Sequence, residues 1–238
     1  MKIHPFSKGD RRGVYIETAT GWGEASPLPG FSRETYDQVL EQLQNFNREA
    51  SLFPSVRFAL DTAKNPIENH NVRIAHFGSD GNFHECIKIK LASLTLDEAL
   101  DLVNKTLPLC DELRVDMNRA WPLEKAQKFC DAFPENTFAF IEEPTREIEK
   151  LKTHHPLAVD EHLREWPLEK ALRYPYVVIK PTLMGGIETI EPVVSACKEN
   201  SVTPILSSSY ETRIGIEGII GLHKRLSLDN EALGIGTL

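Results

Sequence analysis

From about residue 72 onward, short β-like runs alternate with amphipathic helical stretches, and this alternation constrains the fold more than any other feature. The runs are VRIAHFG (72–78), CIKIKLA (86–92), ELRVDMN (112–118), FAFIEEP (138–144), LAVDE (157–161), YVVIKP (176–181), VTPILSS (202–208) and ALGIGT (232–237). Between them, stretches such as LDEALDLVNKTL and PLEKAQKFCDAF carry apolar residues at helical spacing. Strands separated by helices imply a parallel sheet, and eight of them imply a closed barrel. The expected fold class is therefore α/β: a (β/α)7β TIM-type barrel over residues 72–238. Residues 1–55 read differently, with a hairpin (Gly13–Thr18, then Gly21–Ala25), the loop SPLPGFS and one helical stretch from Ser32 to Arg48. Ser32 is the expected N-cap of that helix. This segment reads as a reduced α+β capping domain, joined to the barrel by a connecting helix or linker over residues 56–71.

Charge and composition exclude several classes. A net charge of −8 argues against nucleic acid or an anionic membrane as partner. No apolar run is long enough to span a bilayer, and the N-terminus MKIHPFSKGDRRG lacks the apolar core of a signal peptide, so a cytoplasmic location is expected. Cys86, Cys110, Cys130 and Cys197 form no CxxC pair and fall within expected strands or helices, the pattern of reduced thiols and not of disulfides or zinc. His154 and His155 precede a strand and are expected in solvent. Trp22 is expected to pack within the cap, and Gly185–Gly186 to form a tight turn into a helix, since no phosphate-cradling glycine spacing surrounds them.

In a βα barrel the active site forms at the carboxyl ends of the strands. Lys88 and Lys90 of CIKIKL share one strand face. Alone, such a pair reads as edge-strand lysines that block unwanted pairing. The other strands change that reading. Asp116 and Asn118, Glu142 and Glu143, Asp160 and Glu161, Lys180, and Ser207, Ser208 and Ser209 stand at the ends of the next five runs. Steps of 26, 26, 18 and 20 residues separate Lys90, Asp116, Glu142, Asp160 and Lys180, each about one βα unit. These groups are therefore expected on neighbouring strands at one height around the ring. Three convergent carboxylates do not all stay ionised without a counter-charge. Three oxygen ligands with water suit octahedral Mg²⁺, with Mn²⁺ as the alternative. A lysine beside a divalent cation acts as a base, which points to proton abstraction next to the carboxylate of a small-molecule substrate.

The set KxK, VDMN, IEEP, VDE and IKP, in this order on successive strands, resembles the enolase superfamily in its muconate-lactonizing-enzyme-like branch. The strings GWGEASPLPGFSRET (21–35), LRVDMNRAW (113–121), FIEEP (140–144), VDEHLRE (159–165), VVIKPTLMGG (177–186) and ILSSSYETRIGI (205–216) resemble, within it, the o-succinylbenzoate synthase family. The resemblance implies metal ligation by Asp116, Glu142 and Asp160, with Glu143 and Glu161 behind them. It implies Lys90 as the acid/base, Lys88 beside it and Lys180 across the ring. Arg114 and Asn118 would orient substrate, Ser207–Ser209 would meet its succinyl end, and the loop with Pro29, Gly30 and Phe31 would close over it. The implied reaction is dehydration of 2-succinyl-6-hydroxy-2,4-cyclohexadiene-1-carboxylate to o-succinylbenzoate in menaquinone biosynthesis. Two rival readings use the same residues: racemisation of N-succinylamino acids or dipeptides, with one lysine on each face of the carbon, and a non-catalytic binding barrel. Retention of every ligand and both lysines argues against the second. The cap is shorter than the family's, so association with a second copy is expected to offset its smaller buried area.

Overall fold

The computed structural model describes residues 1–47, 49–66, 71–228 and 231–236; Arg48, the expected helix end, and Thr237, at the end of the last run, lie outside them. An antiparallel sheet in the order β1 (Lys2–Lys8), β2 (Arg11–Glu17), β3 (Trp22–Ala25) opens the chain. Sequence reading found the second and third strands and missed β1. Its side chains are exposed or half-buried without regular alternation, and it carries Pro5, which an edge strand tolerates. On one face of the sheet, Val14 and Ile16 of β2 and Ala25 of β3 are buried against Val39 and Leu43 of α1 (Tyr36–Gln44) and Val56, Ala59 and Leu60 of α2 (Pro54–Lys64). α1 begins later than expected. Thr35 is its N-cap, in a capping box with Gln38. Ser32 instead accepts the Leu28 N–H at 2.8 Å and folds the preceding loop.

α2 lies on the expected connecting segment and starts with Pro54, whose fixed φ suits a first helical turn. It belongs to both layers, because Phe58 packs into the barrel's cluster while Ala59 packs into the cap's. β3 crosses it at Gly23, where a Cβ would stand 1.9 Å from the Ala59 carbonyl oxygen.

The eight expected barrel strands are all present: β4 (Ile74–Phe77), β5 (His84–Lys90), β6 (Cys110–Asp116), β7 (Phe140–Glu142), β8 (Leu157–Val159), β9 (Tyr176–Ile179), β10 (Thr203–Leu206) and β11 (Leu233–Gly236). They pair in the order β10-β9-β8-β7-β6-β5-β4-β11, all parallel, and a bridge between Ser207 and Gly234 joins the two edges. Between them run α3 (Leu96–Thr106), α4 (Leu123–Asp131), α5 (Glu161–Glu165), α6 (Leu168–Ala171), α7 (Pro181–Met184), α8 (Ile187–Glu199) and α9 (Arg213–Arg225). The main core is the layer between these helices and the outer face of the strands, where Ile87, Ile89, Val115 and Ile141 meet Val103 and Phe129. Two crossovers depart from the pattern: β7 and β8 are joined through a single 3₁₀ turn at Ile148–Lys150, and β4 and β5 by residues 78–83 alone, with no helix.

His155 departs from expectation: it is 3% exposed, with its ring edge-on to Phe138 and its Nε2 3.2 Å from the Cys130 carbonyl oxygen, so it fills an apolar groove instead of facing solvent. Trp22 packs on the cap as expected, its ring against His4 at the sheet's surface and nearly half exposed. The four cysteines are free, and burial pushes the thiols of Cys86, Cys130 and Cys197 up to about 11. Gly185, at φ +119°, makes the expected turn, and Gly186 caps α8. Among the described residues no helix is long and apolar enough to cross a membrane.

Candidate active site

Side chains two apart on a strand share a face, and the barrel lumen is layered accordingly. Its lower layer is apolar, formed by Phe140, Ala158, Val178 and Ile205, with Ala75 and Cys86 beside them. Two residues further along the same strands stand Glu142, Asp160, Lys180, Ser207 and Lys88. The alternation that buries an apolar floor thus delivers charged groups to the carboxyl rim.

Lys90 pairs in register with Asp116, and Asp116 with Glu142. Glu142 then pairs with Ala158, so Asp160 stands two residues further up its strand. The single height expected from the spacing is therefore a staircase, which the tilt of barrel strands requires. The floor beneath is plugged by Arg114. Its guanidinium donates to the Ala232 carbonyl (2.7 Å), lies 3.7 Å from carboxylates of Glu112 and Glu231, and stacks over Phe140.

Above that floor the charges interlock. Lys88 Nζ lies 2.6 Å from Glu142 Oε2 and 3.1 Å from Asp116 Oδ2. Lys180 Nζ donates to Asp160 Oδ2. Lys90 is the most open of the three lysines, a third exposed. Its Nζ donates to Asn118 Oδ1 at 2.8 Å and lies 3.6 Å from Asp116 Oδ2. Burial opposes charge on Lys88, but Asp116 and Glu142 outweigh it and raise its pKa above the ordinary range; Asp160 and Glu142 do the same for Lys180. Asp116 shows the reverse balance: burial would raise it, and the lysines, Lys88 foremost, pull it below its usual value. Glu142 is pushed up to about 7, first by burial and then by Asp116, with Asp160 adding to it. Lys90 and Lys180 reach one small cavity, about 40 Å³, from β5 and β9, half the ring apart. Lys88, Asp116, Ser207, Ser208 and Tyr210 also line it.

A larger cavity of about 660 Å³ lies between the cap loop and the rim. Gly30 and Phe31 line it, as do Asn118, Glu161 and four arginines, Arg33, Arg119, Arg146 and Arg164. Arg164 donates to the Phe31 carbonyl at 3.0 Å and ties the loop to α5. Pro29 lines neither cavity. Ser209 is also withdrawn: its N–H donates to Glu211 Oε2 at 2.6 Å, and its hydroxyl is buried. Glu143 accepts the N–H groups of Asp160 (2.8 Å) and His162 (2.9 Å), with His162 Nδ1 2.6 Å away, and so sets the turn that carries Asp160. Sequence reading missed Tyr210 and the arginines. Tyr210 was within reach, standing one residue past the serines of the seventh run, whereas Arg33, Arg119 and Arg146 lie in loops without periodicity and Arg164 in the short α5.

The comparisons with known proteins decide the family. Residues 74–234 match the profile described as enolase C-terminal domain-like, and residues 9–67 match that of the MenC N-terminal domain. The o-succinylbenzoate synthase of Escherichia fergusonii is 32% identical over 247 residues, covering 87% of this chain and 77% of the relative. The chain belongs to the o-succinylbenzoate synthase family of the enolase superfamily. The same-named enzyme of Haemophilus influenzae is 28% identical over 278 residues, covering 96% of this chain and 82% of that one. Among solved structures, o-succinylbenzoate synthase from Thermosynechococcus elongatus BP-1, complexed with magnesium in its active site, superposes with TM-score 0.70 at 18% identity, over 98% of this chain and 89% of that one. A dipeptide epimerase from Enterococcus faecalis superposes at 0.75 with 19% identity, over 98% and 87%. At those identities the structures speak to the barrel-and-cap fold. Membership of the o-succinylbenzoate synthase family makes the chain an enzyme, a carbon–oxygen lyase.

The donor chemistry of Asp116, Glu142 and Asp160 suits a hard divalent cation, but their ligand atoms do not all lie within 4.8 Å of one another, with Lys88 and Lys180 paired to them. Asp116, Glu142 and Asp160 offer only carboxylate oxygens, and Glu142 Oε1 is buried without a hydrogen-bond partner.

Proposed function

We propose that this chain catalyses the Mg²⁺-dependent syn dehydration of 2-succinyl-6-hydroxy-2,4-cyclohexadiene-1-carboxylate to o-succinylbenzoate in menaquinone biosynthesis. The observation that carries the reading is the pair Lys90 and Lys180, reaching one cavity from opposite sides of the ring beside three carboxylates. Mg²⁺ held by Asp116, Glu142 and Asp160, or Mn²⁺ in its place, would stabilise the negative charge that develops on the substrate carboxylate. Lys90 takes the proton from the carbon next to that carboxylate. As an ammonium it then gives this proton to the departing hydroxyl on the same ring face, so one residue serves both halves of the elimination. The C–H and C–O bonds break, water leaves and the ring becomes aromatic. Asn118 holds Lys90 Nζ in place. Lys180, kept protonated by Asp160, faces the other side of the ring as a fixed cation. Lys88 neutralises Asp116 and Glu142. Ser207 and Ser208 take the succinyl end, and Arg114 supports the floor.

Loss of the cyclohexadiene absorbance with Mg²⁺, and none in excess chelator, is the expected outcome. A metal-independent rate would contradict the reading. The opposed lysines also suit 1,1-proton transfer, so N-succinylamino acids belong in the same assay; racemisation faster than dehydration would favour that alternative.

A further inference from the structure

We propose that His76, Asp80 and His84 form a second metal site, independent of the carboxylate centre, for a borderline first-row divalent cation such as Zn²⁺. The three residues come from the shortest connection between successive barrel strands. Parallel strands are ordinarily joined by a crossover of about a dozen residues or more, yet β4 and β5 are joined by residues 78–83 alone. Gly78 (φ +82°) and Gly81 (φ +81°) provide the left-handed turns this demands. His76 is on β4, Asp80 is at the middle of the connection and His84 opens β5.

Their ligand atoms all lie within 4.8 Å of one another, the one such group of three among the described residues. The two imidazoles are parallel, with centroids 3.7 Å apart and planes 4° off. His84 Nε2 is 3.1 Å from Asp80 Oδ1, and His76 Nε2 is 3.7 Å from Asp80 Oδ2. The second distance exceeds hydrogen-bond reach, so the stack on His84, and not a bond to Asp80, places His76. Asp80 is fixed independently, because it accepts the Asn82 N–H at 2.9 Å and the Asn82 amide at 3.1 Å. All three side chains are partly exposed, which leaves room for water to complete a tetrahedral shell.

Donor chemistry separates the two sites. Two imidazoles and one carboxylate suit Zn²⁺ and its neighbours, whereas Mg²⁺ prefers the all-oxygen set of Asp116, Glu142 and Asp160. A cation here would clip β4, the bare connection and β5 together. The connection is coupled to the catalytic strand, since the Gly78 N–H donates to the Lys88 carbonyl at 2.9 Å.

The test is calorimetric titration of the whole protein with Zn²⁺ in saturating Mg²⁺, followed by thermal unfolding with and without Zn²⁺. Wild type is expected to bind one Zn²⁺ and to unfold at a higher temperature with it. His76→Ala and His84→Gln, each checked for native circular dichroism, are expected to lose that heat and that shift. Asp116→Asn is expected to keep both. The proposal is overturned if wild type gives no Zn²⁺ heat, if the histidine variants bind as wild type does, or if Asp116→Asn abolishes the binding.

Discussion

Glu24 Oε2 accepts hydrogen bonds from the Thr212 N–H at 3.0 Å and the Thr212 hydroxyl at 2.5 Å, joining the last strand of the cap to the first turn of α9 across 188 residues of sequence. The same carboxylate accepts the Gly215 N–H at 3.0 Å and the Ser26 hydroxyl at 2.6 Å, and it is fully buried. A carboxylate supplied by the cap thus satisfies the open N–H groups of a barrel helix, where its charge also suits the helix dipole. This bond network sets the cap's place over the rim.

Removing Glu24 leaves several buried donors without partners. Glu24→Ala is expected to destabilise the fold by about 3 kcal/mol, a fall in Tm of roughly 6–12 °C for a chain of this size. Glu24→Gln, which still accepts, is expected to lose less. Differential scanning calorimetry checks both, and an unchanged Tm for the alanine variant would contradict the clamp.

Gly23 sits where β3 crosses α2, and a methyl group there would overlap the Ala59 carbonyl, a backbone atom that cannot turn aside. Gly23→Ala is therefore expected to be more damaging than Gly9→Ala, although Gly9 has the positive φ (+58°) and Gly23 does not. Soluble yield and Tm of the two variants compare them; equal losses would mean that the cap can slide on α2.

The barrel was legible because its strands are apolar runs with polar ends, and the charged rim followed from reading those ends. Lys88, Lys90, Asp116, Glu142, Asp160 and Lys180 all stand where strand periodicity puts them. What could not be read had no periodic signature. β1 is exposed or half-buried throughout and carries a proline, so KIHPFSK does not alternate like a core strand. Thr35 outcompeted Ser32 as cap because Gln38 lies three residues beyond it and closes the reciprocal bond. His155 looked like a loop residue, and only its contact with Phe138 buries it. Glu24 looked like one acid among many, because the partners that define it are far away in sequence.

Glu142 and Glu143 are adjacent and both buried, but their bonds differ. Glu143 uses its two oxygens on Asp160, His162 and their backbone, while Glu142 keeps Oε1 free toward the lumen. Glu142→Gln is expected to abolish Mg²⁺ binding in calorimetry. Glu143→Gln is expected to lower Tm while retaining a measurable Mg²⁺ heat. Equal loss of binding in both would place Glu143 in the metal's shell as well.

Glu211 gives a pH-dependent outcome. Burial raises its carboxyl above the usual range, only partly opposed by the Ser209 N–H that bonds it. The folded protein therefore holds this proton to higher pH than the unfolded chain does. Below the unfolded value both states are protonated and nothing is lost. As pH rises through the folded value, the unfolded chain has already ionised in water and folding loses stability. The Tm of Glu211→Gln relative to wild type is expected to climb as pH rises above the ordinary carboxylate range. A difference independent of pH would show that Glu211 is not desolvated as its burial implies.

The central claim is that Lys90 is the single acid and base of the dehydration, and it is tested most directly by the rate of cyclohexadiene consumption in Lys90→Ala beside its Mg²⁺ affinity. The expected result is a fall in kcat on the order of 10⁴-fold, because acid and base are lost together, with Mg²⁺ still bound by Asp116, Glu142 and Asp160. A Lys90→Ala enzyme that kept its rate within about tenfold of wild type would contradict the account, since general catalysis by one residue contributes at least ~10²-fold, and would move the proton transfer to Lys180.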